Sequence, residues 1–231
     1  MPSQDTLIGI AVIAILIISL GLHEMAHAAV ANWRGDDTAK KLGRLTPNPI
    51  KHIDPVMTVA LPLFLWFVLP ALTGAPRMIF GGAKPVPVQT DRLYSRHRDM
   101  ALVAIAGPLM NFALAFIGLM IFQGMRKWGS LEPTDMLGVI LYQSAIYNIL
   151  LGIFNLLPIP PLDGSRVVSY LLPEPLRRSY NALERMGLLL VIAFVFLVPG
   201  TQDWLFASIR EVYDVMAAAI DGIYGLGGKS K

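Results

Sequence analysis

Two histidines and a glutamate lie within an otherwise apolar stretch of the chain. His23, Glu24 and His27 are the only ionisable side chains in residues 7–31. Residues four apart share one face of an α-helix, so both imidazoles can reach a single ion while Glu24 lies beside them. This pattern, H-E-x-x-H, is typical of zinc hydrolases. An ionisable group at membrane depth costs at least about 2.5 kcal/mol, so a functional motif is favoured over a chance match.

The composition indicates a membrane protein rather than a soluble enzyme. The 231 residues are 55% hydrophobic and only 15% charged, whereas soluble domains are about 25% charged. The net charge of +3 comes without a basic patch interleaved with aromatic residues, so no nucleic-acid partner is expected. Because the chain has no cysteine, histidine and carboxylate side chains are the expected metal donors.

We expect an all-α polytopic membrane protein, a bundle of about five to six helices forming one domain over residues 1–231. The core is predicted at 7–172 and the C-terminal helices at 176–225. A membrane span needs about 20 largely apolar residues. The segments that meet or approach this length are 7–31, 56–76, 100–125, 136–162 and 186–202. Residues 203–224 are predicted to form either an interfacial helix or a poor sixth span, with packing against the bundle favoured. The first apolar segment lacks a basic leader and a cleavage site, so it is expected to remain in the mature protein.

The distribution of Lys and Arg predicts the topology. Basic residues concentrate in loops 32–55 and 77–99 and in the stretch after residue 163. The positive-inside rule places all three on the cytoplasmic side, which requires that 56–76 does not cross the bilayer. Its prolines, Pro62 and Pro70, fit a bent, re-entrant hairpin covered by protein.

Catalytic zinc usually has three protein ligands plus water, so a third ligand is needed. The candidates are His52, His97, Glu184 and Asp163. Asp163 is favoured because prolines before it forbid continued helix, which places it on irregular backbone near membrane depth. An aspartate in an ordinary Asp-Gly turn is the alternative. His52 and His97 lie in basic loops and are expected to be solvated.

The direction of the spans gives a second argument for Asp163. His27 and Asp163 each lie near the C-terminal end of a span, so sharing an ion requires the two spans to run in the same direction. An odd number of crossings must then separate them. Segment 100–125 supplies one and 56–76 must supply none, in agreement with the charge pattern.

This combination of motifs resembles the site-2 protease family of intramembrane zinc metalloproteases (peptidase M50-like). The H-E-x-x-H helix is matched by His23, Glu24 and His27. The family's G-x-x-x-N is matched by Gly107 and Asn111. Its N-x-x-P-x-P-x-L-D-G motif is matched by Asn155, Pro158, Pro160, Leu162, Asp163 and Gly164.

The resemblance implies a zinc enzyme with a core of three helices, a strand-like segment near the site and transmembrane protein substrates. Residues 81–88 are the natural counterpart of the strand-like segment. The chain shows neither the PDZ-like insertion nor the C-terminal CBS domain of larger members.

The predicted mechanism has one Zn²⁺ held by His23, His27 and Asp163, with Glu24 as the general base. Asn155 or Asn111 would donate an amide N–H to the oxyanion, although such amides equally tie helices together. Segment 81–88 would pair with an extended substrate strand.

The expected partners are a transmembrane protein substrate and the lipid bilayer. The expected location is a bacterial or archaeal cell membrane, with the active site towards the cytoplasm. Two other functions stay open, namely a membrane metal transporter or sensor, and an inactive homologue that binds membrane partners. Oligomeric state is not predicted.

Overall fold

In a computed structural model, residues 4–73, 81–129, 132 and 134–225 are described, and among them there are helices and loops but no strand. The predicted all-α class is confirmed. The helices are α1 (Gln4–Trp33), α2 (Thr38–Lys41), α3 (Pro55–Thr73), α4 (Arg96–Lys127), α5 (Met136–Asn155), α6 (Asp163–Leu171), α7 (Glu174–Leu197) and α8 (Thr201–Tyr224).

Within the described ranges, five helices are long and apolar enough to cross a membrane: α1, α3, α4, α5 and α7. Helices suit the interior of a membrane, where no water is present to bind backbone groups, because their N–H and C=O groups are paired within the segment. Many of their large apolar side chains remain exposed at the surface of the bundle, as expected for helices that face lipid.

Helices α1, α4 and α5 form the core that carries the polar residues. His23 of α1 contacts Asn111 of α4, and His27 contacts Val103, so α1 and α4 are antiparallel. Phe122 and Tyr142 stack between α4 and α5 with ring centroids 6.4 Å apart. Because Gly152, ten residues later in α5, lies against Phe112, α4 and α5 are also antiparallel. Helices α1 and α5 therefore run in the same direction, as a shared metal site requires.

Helix α3 differs from the predicted hairpin. The chain is helical without a break from Pro55 to Thr73, and the prolines are accommodated among π-helical turns at Pro55–Ala60 and Phe64–Val68. The described part of the segment, through Thr73, therefore contains no hairpin turn. Residues 74–76 of that prediction lie outside the described part of the chain. By Gly82, however, the chain is back at the start of α3, where the Gly82 N–H donates to the Met57 carbonyl (3.0 Å).

The position of Gly82 beside the start of α3 has a topological consequence. A helix of the length of α3 rises about 28 Å, at about 1.5 Å per residue. Since the chain is back beside Met57 by Gly82, residues 57–82 together produce no net crossing. The prediction that this region supplies no net crossing is thus consistent with the contact between Gly82 and Met57.

Helix α8 packs against the bundle, as favoured from the sequence. Ile209 and Ile220 are buried in a cluster with Ala115 and Leu119 of α4 and Ile149 of α5. The helix carries several charged residues and is not among the five apolar helices. It therefore completes the bundle from one side.

An ion pair joins the end of α1 to the start of α4. The Arg34 Nη2 lies 3.0 Å from Asp99 Oδ1, and the Asp99 side chain is fully buried. Asp99 also accepts the backbone N–H of Ser95, at 2.8 Å, which closes the first turn of α4. This pairing fixes the register of the two helices that carry the motif residues.

Candidate active site

The side chains of His23, His27 and Asp163 converge at one point between α1 and the start of α6. The two Nε2 atoms are 3.0 Å apart. Asp163 Oδ2 lies 3.1 Å from His23 Nε2 and 3.4 Å from His27 Nε2. The fold therefore brings together the three residues that the sequence predicts as metal ligands.

The other ring nitrogen of each histidine is held by an oxygen acceptor. His27 Nδ1–H donates to the Val103 carbonyl at 2.7 Å, and His23 Nδ1 lies 2.6 Å from Asn111 Oδ1. A carbonyl only accepts, so the proton of neutral His27 resides on Nδ1 and its Nε2 presents a lone pair. Both imidazoles are aimed at the site with the nitrogen that binds metals.

This donor set fits a zinc ion. With both imidazoles neutral and protonated on Nδ1, lone pairs on Nε2 atoms 3.0 Å apart would repel each other and the nearby carboxylate unless a cation lay between them. Asp163 Oδ2 is buried and lacks a hydrogen-bond partner, which is costly for a carboxylate unless a metal or a charged group pairs with it. Two imidazoles and a carboxylate are ordinary ligands of catalytic zinc.

Glu24 lies beside the histidines but is held by a different part of the chain. Ligand atoms of His23, Glu24 and His27 all lie within 4.8 Å of one another. Glu24 Oε2 accepts the backbone N–H of Val86 at 2.7 Å. The carboxylate is therefore fixed at the edge of the site by a backbone donor.

Val86 belongs to an extended segment at the rim of the site, residues 81–88. The N–H groups of Gly82 and Lys84 donate to the carbonyls of Met57 (3.0 Å) and His52 (2.9 Å). The carbonyls of the same two residues accept from Thr58 Oγ1 (2.5 Å) and Arg44 Nη2 (2.6 Å). Gly82, Lys84 and Val86 thus attach this rim segment to the protein.

The expectation that His52 is solvated was wrong. Its side chain is 1% exposed, and its Nε2 lies 3.1 Å from the Thr46 carbonyl. The short helical turn Pro49–His52 packs beside Gly21 of α1, which buries the ring. His97, by contrast, is exposed.

Gly107 of α4 lets the histidines approach that helix closely. A Cβ atom at this position would lie 2.5 Å from His23 Cε1, His23 Nε2 and His27 Cε1, closer than real Cβ contacts. Pro108 follows in the same turn and lacks an N–H, so one backbone hydrogen bond of the helix is missing there. The small residue thus sets the distance between the metal-ligand rings and α4.

Comparison with known proteins agrees with these features. The model of peptidase family M50 matches residues 125–198. YwhC of Bacillus subtilis, named as a candidate zinc metalloprotease, is 41% identical over 80% of this chain and 78% of its own length. This chain belongs to peptidase family M50. Two further relatives have names of the same kind. Rip2 of Mycolicibacterium smegmatis is 30% identical over 89% of this chain and 73% of its own length. MJ0611 of Methanocaldococcus jannaschii is 32% identical over 57% of this chain and 62% of its own length. No solved structure gave a match.

The M50 assignment and the apolar helices together make this a multi-pass membrane metalloprotease. The two asparagines that the sequence offers as oxyanion donors lie in different settings. Asn111 is fully buried and contacts His23 and Asn148. The Asn155 side chain is partly buried, and its Nδ2 donates to the Leu151 carbonyl one turn earlier.

Some contributors to this M50 site carry no recognisable sequence signal, whereas others do. Val103 and Val86 act through backbone groups, which every residue possesses. Asn148 and Ser19 are buried polar residues in apolar helices. Such residues commonly tie membrane helices together, and that signal was available in the sequence.

Proposed function

We propose that this M50 family member is an intramembrane zinc endopeptidase that hydrolyses peptide bonds of transmembrane protein substrates. The observation that carries the proposal is the meeting of His23 and His27 with Asp163, and of Glu24 beside them, where the apolar helix α1 meets the start of α6. Metal ligands and a base at membrane depth suit a substrate whose bond lies in or near the bilayer.

The proposed mechanism assigns one role to each of four side chains. His23, His27 and Asp163 would hold a single zinc ion. Bound zinc would supply a Lewis acid that lowers the pKa of water and polarises a peptide carbonyl. Glu24 would accept a proton from the attacking water as the new C–O bond forms, and would then give that proton to the amide nitrogen so that the C–N bond breaks and the amine leaves. The Val86 N–H would hold the Glu24 carboxylate in place for both transfers.

Asn155 remains the proposed donor to the carbonyl oxygen of the substrate. Its amide nitrogen donates to one acceptor, the Leu151 carbonyl, and an amide nitrogen carries two hydrogens. Asn111 is less suited to this role than the sequence suggested, because its oxygen faces His23 and its nitrogen faces Asn148.

The rim segment would bind the substrate backbone. In the described part of the chain, the carbonyls of Ala83, Pro85 and Pro87 have no hydrogen-bond partner, and the two prolines have no N–H. This edge would therefore accept hydrogen bonds from the N–H groups of an extended substrate strand, and it would offer few hydrogen-bond donors to that strand. A helical substrate hides those N–H groups, so local unwinding is needed before cleavage.

The basic loops support a proposed site that faces the cytoplasm, in the cell membrane. The site lies on α1 near its basic C-terminal side, about 9 to 15 Å from Trp33 at about 1.5 Å per residue. Under the positive-inside rule that end is cytoplasmic. The signal that the proteolysis serves, and the identity of the substrate, would be decided by partners of this chain.

The testing experiment uses the full chain in liposomes with a transmembrane model substrate. Glu24→Gln keeps the shape of the side chain but removes the base, so cleavage should stop while zinc content is retained. Glu211→Gln, on the exposed surface of α8, is the matched control and should cleave normally. Full cleavage by the Glu24 variant would refute the proposed base, and zinc transport without cleavage by the wild type would favour a transporter.

A further inference from the structure

A chain of buried hydrogen bonds leads away from the metal-ligand residue His23 across three helices. His23 Nδ1 lies 2.6 Å from Asn111 Oδ1. Asn111 Nδ2 donates to Asn148 Oδ1 at 3.3 Å. Asn148 Nδ2 donates to Ser19 Oγ at 3.0 Å and to the Ser144 carbonyl at 2.9 Å. The side chains of Ser19, Asn111 and Asn148 are all nearly inaccessible to solvent.

The orientation of both amides is fixed from the far end of this series of hydrogen bonds. The Ser144 carbonyl can only accept a hydrogen bond, so Asn148 must turn its NH₂ group towards it. The Asn148 oxygen then faces Asn111, which must in turn present its own NH₂ group. The Asn111 oxygen is left facing His23. An exchange of oxygen and nitrogen in either amide would put two acceptors or two donors face to face.

We propose that Asn148 is a positioning residue for the metal ligand His23, acting through Asn111. The two amides transmit the polarity of the Ser144 carbonyl to the imidazole and keep its proton on Nδ1. The Nε2 atom of His23 is thereby left as the metal-binding lone pair. The inference rests on the proposed function only in taking His23 as a metal ligand.

His27 provides an internal comparison. Its Nδ1–H donates directly to the Val103 carbonyl, so one backbone acceptor sets its tautomer without any intermediary. His23 reaches a backbone carbonyl of this kind only through two side chains. The tautomer of His23, and not that of His27, should therefore depend on Asn148.

The experiment combines Asn148→Leu with Asn111→Asp and measures zinc affinity by competition with a chromophoric chelator. Asn148→Leu frees the Asn111 amide to turn, and zinc affinity should fall roughly 10-fold, the low end of the range for residues that support a ligand. An aspartate at position 111 has only oxygen atoms in its polar group, so it accepts a hydrogen bond from His23 without Asn148 to orient it. Its other oxygen, however, would face the Asn148 oxygen and be repelled by it. In the Asn111→Asp background, Asn148→Leu should therefore leave zinc affinity unchanged or raise it.

This reversal of sign separates positioning from packing. A residue that merely packs between helices would lower zinc affinity by the same factor in both backgrounds, and that result would overturn the proposal. Ser19→Ala removes one acceptor but leaves the Ser144 carbonyl in place, so it should change affinity less than about threefold. Thermal unfolding of each variant shows whether it is folded.

A spectroscopic readout needs neither zinc nor catalysis. At alkaline pH, the ¹⁵N shifts of labelled imidazoles in the zinc-free protein show which ring nitrogen carries the proton. Wild-type His23 should carry it on Nδ1, and Asn148→Leu should give a mixture of both forms, while His27 stays unchanged. A wild-type His23 protonated on Nε2 would overturn the proposal, whether or not the protein cleaves a substrate.

Discussion

Replacing Gly107 by alanine tests whether close packing against α4 positions the metal ligands. The added Cβ would lie 2.5 Å from atoms of both His23 and His27. Ordinary contact begins near 3.4 Å, so the two rings or the α4 backbone must move apart by roughly 0.9 Å. Metal–ligand distances tolerate only about 0.2 Å, and a misplacement of about 1 Å can cost about 100-fold in rate. We expect at least that loss of cleavage, with a large fall in zinc affinity.

Gly118→Ala is the matched control on the same helix. A Cβ there would meet its nearest neighbour, the Leu141 carbonyl, at 4.0 Å, so it fits without movement. Both substitutions gain up to about 1 kcal/mol of helix propensity, so their difference isolates the steric effect. Zinc affinity is measured by chelator competition and cleavage in liposomes. Wild-type zinc affinity in the Gly107 variant would show that the rings are not held by this contact.

The remaining predictions concern the rim segment and the ion pair between α1 and α4. Val86→Pro removes the N–H group that donates to the Glu24 carboxylate. Because a hydrogen bond to a charged group contributes about 1.5–3 kcal/mol, kcat should fall roughly 10-fold or more with zinc content unchanged. Val88→Pro is the control, because Val88 also follows a proline but its N–H has no backbone acceptor among the described residues. Its effect on kcat should be smaller. An equal loss of kcat in both variants would show that the altered backbone conformation, and not the lost hydrogen bond, is the cause. Asp99→Asn removes the charge from a carboxylate that pairs with both Arg34 and Arg98 and should lower the free energy of unfolding by about 1.5–3 kcal/mol, the contribution of a hydrogen bond between charged groups. Asp91→Asn, in an ion pair whose carboxylate is 77% exposed, should cost less than about 1 kcal/mol, and thermal unfolding that ranks the two variants equally would contradict this reasoning.

Much of the fold could be predicted from local properties of the sequence. Apolar runs of sufficient length became the five long helices because a membrane requires paired backbone groups. The chain was expected to turn back at the prolines of α3, whereas its described part is helical through Thr73. The interaction that returns the chain to Met57 is a backbone contact with Gly82, and it leaves no pattern in the sequence.

For the site, residue types and their spacing along the chain are enough to identify the side chains that could bind a metal and to show that two of them share a helical face. The four-residue spacing of His23 and His27 is local geometry, and the direction of the spans added Asp163. Which nitrogen of each ring faces the site follows from the packing of helices, because it depends on Val103 and Asn111 from another helix. Hydrogen-bond polarity across helices arises from backbone carbonyls and buried amides brought together by packing, and residue types along one chain do not encode their orientation.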